Sequence, residues 1–421
     1  MKILLLSIGT RGDAEPFAGV GEMLRGRGED VFCAFPEQYR YVAQGSCFPF
    51  YSLGREYLEL LDGYFGKASM SEKGYKKARA LIEVTKQSLP IQKRLLESQK
   101  QIIDNIEPDI IIYHPKAAYP LVWSLATGKK SVLLLPVPCV LHKVNDMPHV
   151  GIGGKMPIDM SYRLARFGHV KSIMTAVNRF YKGEYTPKQI ERALLASPVF
   201  YTVSPSLFKR PAYWGGNVMV SGFWERDKTS NWTPSQELSD FLARHGKIVL
   251  ITFGSMTNLN PKEKSDMFIE VLEEMGIPAI LNISGGGLAP PDKPYNRDLI
   301  LFTESIPYDW AMPKMYAAIH HGGAGTVHSA LKAGCATMLI PHMGDQSMWN
   351  ELVSKTGAGP LGVPASRLGK DIFRLKLKDL YENPSYKERA REISQEMAEE
   401  DFGGELYEFI VRGSAMNSPV L

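Results

Sequence analysis

Ala317-Ala318-Ile319-His320-His321-Gly322-Gly323-Ala324-Gly325-Thr326 is the stretch around which this sequence is organised. Small and apolar side chains lead into two histidines and a glycine-rich turn, and the residues that follow have a helical pattern. Backbone N–H groups at a helix start are unpaired and carry a partial positive charge. Glycines let an anion approach these groups closely. The stretch therefore predicts a diphosphate site made by His321, Gly323, Ala324, Gly325 and Thr326.

A second loop follows this turn and favours a ligand at the same place. Ala336–Pro341 is an apolar run typical of a buried strand, and the loop after it carries Asp345 beside Gln346. In a parallel α/β sheet, ligands bind at the carboxyl ends of the strands. We therefore expect the turn and the Asp345-Gln346 pair to open on one crevice. A carboxylate next to an amide suits a polyhydroxylated ligand. For the turn alone, a strand–turn–helix unit without any ligand remains the alternative.

The chain begins with a related pattern. Lys2–Ile8 is a continuous apolar run, which is typical of a strand buried on both faces. The loop Gly9-Thr10-Arg11-Gly12-Asp13 comes next, and Ala14–Arg25 is predicted to be a helix with Pro16 in its first turn. Asp13 could cap this helix, because Asp is a favoured capping residue. Its place after the first strand favours a functional role, and Arg11 is either a phosphate ligand or an exposed loop arginine.

The second half of the chain repeats the theme of strand, glycine turn and helix. Ile248–Phe253 is an apolar run, and Ser255 in the turn after it could bind a phosphate or cap the next helix. We expect domains at 1–222 and 241–390, joined by a polar linker at 223–240. Residues 391–421 are assigned to a C-terminal helix, and a helical pattern runs from Tyr386 to Phe409.

Composition excludes several classes of protein. The chain has 421 residues, 44% of them hydrophobic, and a formal net charge of only +4, which argues against a nucleic-acid binder. The 4 cysteines form no CxxC pair, so neither a zinc site nor a disulfide framework is indicated. The N-terminal run enters a glycine turn without a signal-peptide cleavage region. We expect a soluble cytoplasmic protein without a metal. A lysine-rich helix near residues 73–79 leaves open a peripheral contact with a membrane, or simply a solvated face.

The run from Ile306 to Gly359 resembles the nucleotide-sugar signature of the family 1 glycosyltransferases. The similar branch is that of the sterol and lipid glucosyltransferases, with the bacterial antibiotic glycosyltransferases. The matching motifs are Ile306-Pro307-Tyr308-Asp309-Trp310, His320–Thr326, Ala333-Gly334-Cys335, Gly344-Asp345-Gln346, Ser221-Gly222-Phe223-Trp224 and Gly9–Asp13. The resemblance therefore spans nearly the whole chain.

This resemblance implies an α/β protein with the GT-B fold, in which two Rossmann-like domains face one another across a cleft. The C-terminal helix would cross back to the N-terminal domain. The resemblance assigns the donor diphosphate to the His321–Thr326 turn with Ser255 and Arg11, and the nucleotide base to the backbone near Ile306. It assigns the donor sugar to Asp345, Gln346 and Thr10. The ribose-binding Glu of the plant motif corresponds to Ser329 here, which leaves UDP and TDP as alternatives.

The implied activity is inverting transfer of a hexose, by default glucose from UDP-glucose, to a hydroxyl of a lipophilic acceptor. Sterols, terpenoids, polyketides and flavonoids are the candidate acceptors. Asp13 would be the general base, and we expect burial to raise its pKa. Neither a metal nor another cofactor is expected, and the chain should be a monomer or weak dimer.

Two alternatives remain: a non-catalytic nucleotide-sugar-binding protein, against which Asp13 argues, and a GT-B sugar-nucleotide 2-epimerase, which needs other acids. The first turn lacks the GxGxxG of nicotinamide enzymes.

Overall fold

The computed structural model describes residues 1–63, 74–152, 156–226, 232–254, 256, 260–342 and 344–412. Its contacts divide the chain into two compact units. Unit 1 comprises Met1–Val203, Arg210–Arg226 and Asp401–Leu421, and unit 2 comprises Ser204–Lys209 and Asp227–Glu400. Each unit is built on one parallel sheet.

Unit 1 contains a seven-stranded sheet with the order β3-β2-β1-β4-β5-β6-β7. Its strands are β1 (Lys2–Leu6), β2 (Asp30–Phe35), β3 (Phe50–Ser52), β4 (Ile110–Tyr113), β5 (Lys130–Leu135), β6 (Val199–Tyr201) and β7 (Val218–Val220). β1 and β4 are parallel neighbours in which Leu6 lies opposite Tyr113. The loops that follow these two residues therefore leave the sheet side by side.

Helices flank this sheet and complete its core. They are α1 (Arg11–Gly26), α2 (Arg40–Gly45), α3 (Glu56–Asp62), α4 (Gly74–Ile106), α5 (Tyr119–Thr127), α6 (Ile158–Phe180), α7 (Pro187–Ala196) and, from the end of the chain, α15 (Gly403–Val411). α1 begins three residues earlier than the sequence pattern indicated, so Pro16 lies inside the helix rather than in its first turn. Side chains of β1, α1 and α15, among them Leu5, Phe17 and Leu406, share one buried cluster.

Unit 2 contains a five-stranded parallel sheet with the order β10-β9-β8-β11-β12. Its strands are β8 (Val249–Thr252), β9 (Ala279–Asn282), β10 (Ile300–Thr303), β11 (Ala317–His320) and β12 (Ala336–Leu339). Its helices are α8 (Gln236–Arg244), α9 (Pro261–Met275), α10 (Tyr308–Ala311), α11 (Ala324–Lys332), α12 (Gln346–Thr356), α13 (Lys370–Glu382) and α14 (Pro384–Ala398). His320 lies opposite Thr252 on one side and Leu339 on the other. The loops after β8, β11 and β12 are therefore adjacent.

The sheet of unit 2 is buried on both faces. Val249 and Ile251 of β8 belong to one hydrophobic cluster, whereas Leu250 belongs to a second cluster. Successive side chains of a strand point to opposite faces. The continuous apolar runs in the sequence are thus explained by burial on both sides, as is usual for parallel sheets.

The C-terminal region differs from the single helix indicated over Tyr386–Phe409. The structure has two helices there, α14 and α15, separated by residues 399–402. The side chain of Glu400 in this break accepts hydrogen bonds from Ser204 and Ser206. The division between the two units falls just after Glu400. No helix in the described part of the chain is long and apolar enough to cross a lipid bilayer.

Candidate functional site

The turn after β11 leads directly into α11. Gly323 is the N-cap residue of this helix, and no side chain caps it among the described residues. Gly322 has φ +94°, and a Cβ there would come 2.8 Å from Cδ2 of Leu339. A side chain is therefore excluded at this position on two grounds, conformation and space. The glycine turn brings the first amides of α11 to the carboxyl edge of the sheet.

His321 lies buried in this turn, with 7% of its surface exposed. Its ring packs against two glycines: a Cβ on Gly254 would be 2.9 Å from Cε1, and a Cβ on Gly323 would be 2.5 Å from Nε2. The Nδ1 atom has no hydrogen-bond partner within the described ranges. Burial, with a further contribution from His342, lowers the pKa of His321 to about 3. The imidazole is therefore neutral at physiological pH and has one unsatisfied buried nitrogen.

His320 has a different role in the same turn. The Gly322 N–H donates to its Nδ1 at 3.0 Å, and the side chain is fully buried. Burial, together with the neighbouring His321, holds the pKa of His320 well below its usual range. His320 therefore fixes the shape of the turn through Nδ1, and its Nε2 atom, like Nδ1 of His321, is buried without a partner among the described residues.

The second predicted loop lies next to the turn. Gln346 is the first residue of α12, and its Oε1 accepts the His342 N–H at 2.7 Å. A Cβ on Gly322 would lie 3.3 Å from the main-chain oxygen of Gln346. Asp345 occupies the N-cap position of α12 and is partly exposed. The structure therefore brings the turn and the Asp345-Gln346 pair together at one edge of the sheet.

Asp13 lies in unit 1, at the third position of α1. The Thr10 N–H donates to Asp13 Oδ2 at 2.7 Å, and the Thr10 hydroxyl donates to the same oxygen at 3.3 Å. Gly9 has φ +149°, and a Cβ there would lie 2.1 Å from Oδ2. Thr10, and not Asp13, is the N-cap residue of α1. Asp13 lies at the third helical position, and its carboxylate accepts the N-cap N–H, so the loop wraps tightly around it.

Two groups from the loop after β4 complete the surroundings of Asp13. His114 Nε2 lies 3.2 Å from Asp13 Oδ1, and Lys116 Nζ lies 3.5 Å from Oδ2. The Lys116 N–H donates to His114 Nδ1 at 3.3 Å, which leaves the proton of the neutral ring on Nε2, facing Asp13. Since β4 is adjacent to β1, residues far apart in sequence meet at this point.

The electrostatics of Asp13 differ from the expectation. Burial alone raises the pKa of Asp13, but Lys116, His114 and the Thr10 N–H outweigh it and hold the pKa well below its ordinary value. The prediction of a raised pKa was therefore wrong, because the sequence did not reveal the two neighbours from β4. Burial also lowers the pKa of His114, although Asp13 opposes this. The pair consists of a carboxylate and a neutral histidine.

The sequence of this chain is similar to those of several known proteins. Residues 297–411 match the family described as Erythromycin biosynthesis protein CIII-like, C-terminal domain. The chain is 27% identical to a sterol 3-beta-glucosyltransferase of Arabidopsis thaliana, over 95% of this chain and 66% of that protein. It is also 27% identical to the O-mycaminosyltylonolide 6-deoxyallosyltransferase of Streptomyces fradiae, over 95% of this chain and 94% of that protein.

Solved structures agree over almost the full length. The glycotransferase of kitacinnamycin superposes with a TM-score of 0.70 at 15% identity, and 98% of each chain is covered. The spinosyn rhamnosyltransferase SpnG complexed with thymidine diphosphate gives a TM-score of 0.63 at 15% identity, over 97% of this chain and 99% of that one. The chain has the GT-B fold. Its sequence relatives are sterol and antibiotic glycosyltransferases, and it spans 66% and 64% of the length of two plant sterol glucosyltransferases.

The residues predicted to contact the nucleotide base lie in unit 2, around Ile306. Ile306 is buried in a hydrophobic cluster of unit 2, so its side chain belongs to the core and only its main chain is suited to a base. Tyr308 shares a 2.7 Å hydrogen bond with the Thr252 hydroxyl. Ser329, at the position of the plant ribose ligand, donates to the Gly325 carbonyl at 2.9 Å. Ser255 lies outside the described residues.

Arg11 is engaged within unit 1 of the GT-B chain. Its Nε lies 3.0 Å from Glu15 Oε1, and Arg226 contacts the other oxygen of Glu15 at 2.8 Å. The Arg11 side chain is about half exposed, at 48%. Its assignment to the donor phosphates stays a prediction.

Lys116 is the residue at the Asp13 site that sequence reasoning missed. For His114, a histidine at a strand end is compatible in sequence both with lining an acceptor site and with a structural role. Both directly follow a buried strand, and that position is the signal that could have selected them. In the parts of the chain that the structure describes, no group of three or more His, Cys, Asp or Glu side chains is arranged to hold a metal ion.

Proposed function

We propose that this GT-B chain is an inverting glycosyltransferase that moves a hexose from a nucleoside diphosphate sugar to a hydroxyl of a lipophilic acceptor. The observation that carries the proposal is the buried Nδ1 of His321, which has no partner among the described residues and lies at the turn before α11. A buried polar atom without a partner is costly, and a phosphate oxygen would satisfy it.

The turn before α11 would bind the diphosphate of the sugar donor through its partial positive charges. The start of α11 offers backbone N–H groups and the positive end of the helix dipole. His321 is neutral and adds a hydrogen bond rather than a charge. Together they would stabilise the negative charge that develops on the departing diphosphate. Asp345 and Gln346, beside the turn, would hold sugar hydroxyls.

The acceptor end depends on Asp13. The acceptor oxygen would form a bond to the anomeric carbon while the bond from that carbon to the diphosphate oxygen breaks. The bonding electron pair leaves with the diphosphate, and the hydroxyl proton passes to Asp13. Because the pKa of Asp13 is low, it is ionised throughout the neutral range and is a weak base. Proton transfer would therefore occur late, as the forming carbon–oxygen bond acidifies the hydroxyl.

The choice of substrates is supported by the relatives. Their names refer to a sterol and to O-mycaminosyltylonolide, which favours a lipophilic hydroxyl compound here. UDP-glucose is our default donor, and the thymidine diphosphate held by one structural neighbour makes TDP-glucose the next donor to test. We further propose transfer without a metal or other cofactor, by a cytoplasmic monomer or weak dimer that contacts a membrane only peripherally.

A transfer assay with mass-spectrometric detection tests the proposal. The protein, Asp13→Asn and the surface control Asp298→Asn would receive UDP-glucose or TDP-glucose with pooled sterols, flavonoids and macrolides, in the presence of a chelator. We expect a product one hexose heavier from the parent and the control. Asp13→Asn should lose at least about a hundredfold in rate, since general base catalysis contributes about 10²–10⁴-fold. Nucleotide affinity should be unchanged.

Three other outcomes would each contradict a different part of the proposal. Full activity of Asp13→Asn would remove Asp13 as the base. Nucleotide binding without a product from any pool would favour a binding protein. Absence of nucleotide binding would contradict the assignment of the donor diphosphate to the His321 turn.

A further inference from the structure

We propose that Lys116 and His114 are positioning residues that keep the Asp13 carboxylate ionised and turn its Oδ1 atom toward the acceptor hydroxyl. This inference rests on the proposed function, because it concerns the group assigned as base. Neither residue needs to touch the substrate for this role. Each acts through Asp13.

The two oxygens of Asp13 are not equivalent. Oδ2 receives the Thr10 N–H at 2.7 Å and the Thr10 hydroxyl at 3.3 Å, and Lys116 Nζ lies 3.5 Å away. Oδ1 faces His114 Nε2 at 3.2 Å. A carboxylate oxygen accepts about two hydrogen bonds. Oδ2 is therefore saturated by the protein, whereas Oδ1 has capacity for the incoming hydroxyl.

His114 sets the orientation of this carboxylate. It is buried at the end of β4, and its ring is fixed because Nδ1 accepts the Lys116 N–H. With Nδ1 used as an acceptor, the Nε2 proton of the neutral ring points at Oδ1. The hydrogen bond holds the plane of the carboxylate, so that its second oxygen stays against Thr10 and Lys116.

Lys116 supplies the charge. Its side chain is 44% exposed, whereas that of Asp13 is only 19% exposed. A partly exposed cation next to a largely buried carboxylate interacts more strongly than a surface pair, although salt weakens it. Four other charged or titratable groups lie near Asp13 and His114. They are Arg11 and Glu15 on α1, Arg226, which pairs with Glu15, and His169 of α6, which lies near His114. Because Arg11 and Arg226 both contact Glu15, Lys116 is the cation that acts directly on Asp13.

Lys116 lowers the pKa of Asp13, so its removal should raise that pKa. Asp13 acts as an acceptor of the proton only when it is ionised, so activity is lost as the pH falls through its pKa. Lys116→Met removes the cation while keeping an unbranched side chain, so the pKa should rise and the acid limb of kcat/KM should move to higher pH. A nearby opposite charge typically lowers a carboxyl pKa by about one to three units, so we expect a shift of about one unit or more.

The experiment has two readouts on the full chain. The first is the ¹³C carboxyl shift of Asp13, followed by NMR as a function of pH without any substrate and assigned with Asp13→Asn. The second is the pH profile of kcat/KM. Lys116→Met, Lys116→Arg, His114→Leu and the surface control Lys93→Met would be compared with the parent. Lys116→Arg and Lys93→Met should titrate like the parent, whereas Lys116→Met and His114→Leu should titrate at higher pH.

The results separate this inference from the proposed function. If no acceptor is glycosylated but the Asp13 carboxyl titrates at higher pH in Lys116→Met, the positioning role stands and the transferase reading fails. If transfer occurs but Lys116→Met has the parent's carboxyl titration and acid limb, the inference is overturned. A loss of activity equal at all pH values in Lys116→Met would also overturn it, because a merely structural role predicts that result.

Discussion

Buried neutral histidines recur at the functional residues of both units, with opposite hydrogen-bonding states. His114 is held by a partner on each ring nitrogen, whereas His321 has an unpartnered Nδ1 within the described chain. We propose that the first arrangement orients Asp13 and that the second leaves Nδ1 available to a ligand. The two proposed roles of one residue type differ because the surrounding chain satisfies its ring nitrogens differently.

The sequence motif was sufficient to predict that His321 lies at a glycine turn before a helix, but no motif revealed the neighbours of Asp13. His321 adjoins its own glycine turn in the chain, so a motif shows its contact with Gly323, but its contact with Gly254 comes from the neighbouring strand β8. Asp13 meets His114 and Lys116 only because β4 lies beside β1. Strand order depends on packing of the whole sheet, and no local pattern of residues encodes it.

His321→Ala should weaken the binding of UDP or TDP. A hydrogen bond to a charged group contributes about 1.5–3 kcal/mol, so we expect about a 10- to 100-fold increase in Kd, measured by calorimetry. His321→Gln, which keeps a donor, should recover part of the affinity, and His245→Ala, at a partly exposed histidine, should have no effect. Unchanged affinity in His321→Ala would exclude the phosphate role.

At the scale of elements, the two glycine turns of unit 2 act on one ring. Gly254 follows β8 and Gly323 begins α11, and the His321 ring packs against both. The adjacency of β8 and β11 makes this possible. The shape of the candidate donor site is therefore set by two strand ends together, and a change in either turn should reach the ring.

Gly254→Ala tests this coupling. Gly254 has φ +57°, and an added Cβ would lie 2.9 Å from His321 Cε1. Gly276→Ala is the matched control, because Gly276 has φ +64° but a Cβ there meets nothing within 4 Å. Both variants should lose similar stability from the unfavourable φ, about 1 kcal/mol. Only Gly254→Ala should also weaken nucleotide binding, by about the factor seen for His321→Ala. Equal affinities of the two variants in the same titration would contradict the coupling.

Helices were predictable from periodicity where they pack locally, but the break before α15 was missed. We predicted one helix over residues 386–409, yet the chain leaves the helix at residues 399–402. The pair Gly403-Gly404 is the local signal for this break, because glycine is unfavourable in a helix interior. Glu400 in the break also accepts hydrogen bonds from Ser204 and Ser206, and these distant partners could not be read from neighbouring residues.

At the scale of the whole molecule, unit 1 is closed by the last helix of the described chain. Leu406 and Ile410 of α15 are fully buried in the cluster that contains Leu5 and Phe17. The Tyr407 hydroxyl donates to Glu29 at 2.7 Å, and Lys130 donates to the Phe409 carbonyl at 2.9 Å. α15 is therefore an integral part of this core.

Ile410→Ala should destabilise unit 1 by about 2–5 kcal/mol, the usual cost of truncating a buried aliphatic side chain. Urea denaturation would measure this, and nucleotide affinity in unit 2 should be retained. Leu375→Ala, at a leucine with 67% of its surface exposed, should change stability by less than about 0.5 kcal/mol. Equal effects of the two substitutions would mean that α15 does not contribute to the core.

The position of α15 also has a consequence for biosynthesis. Proteins emerge from the ribosome from the N-terminus at about 5–20 residues per second, and domains generally fold as they appear. Unit 1 contains the first residues to be synthesised, but it cannot be the first to complete its core. That core lacks Leu406 and Ile410 until α15 emerges. Unit 2, nearly all of it between Asp227 and Glu400, is complete earlier. A released chain that ends at Glu400 should therefore contain a folded unit 2 and an unfinished unit 1, and limited proteolysis should cleave unit 1 while unit 2 resists.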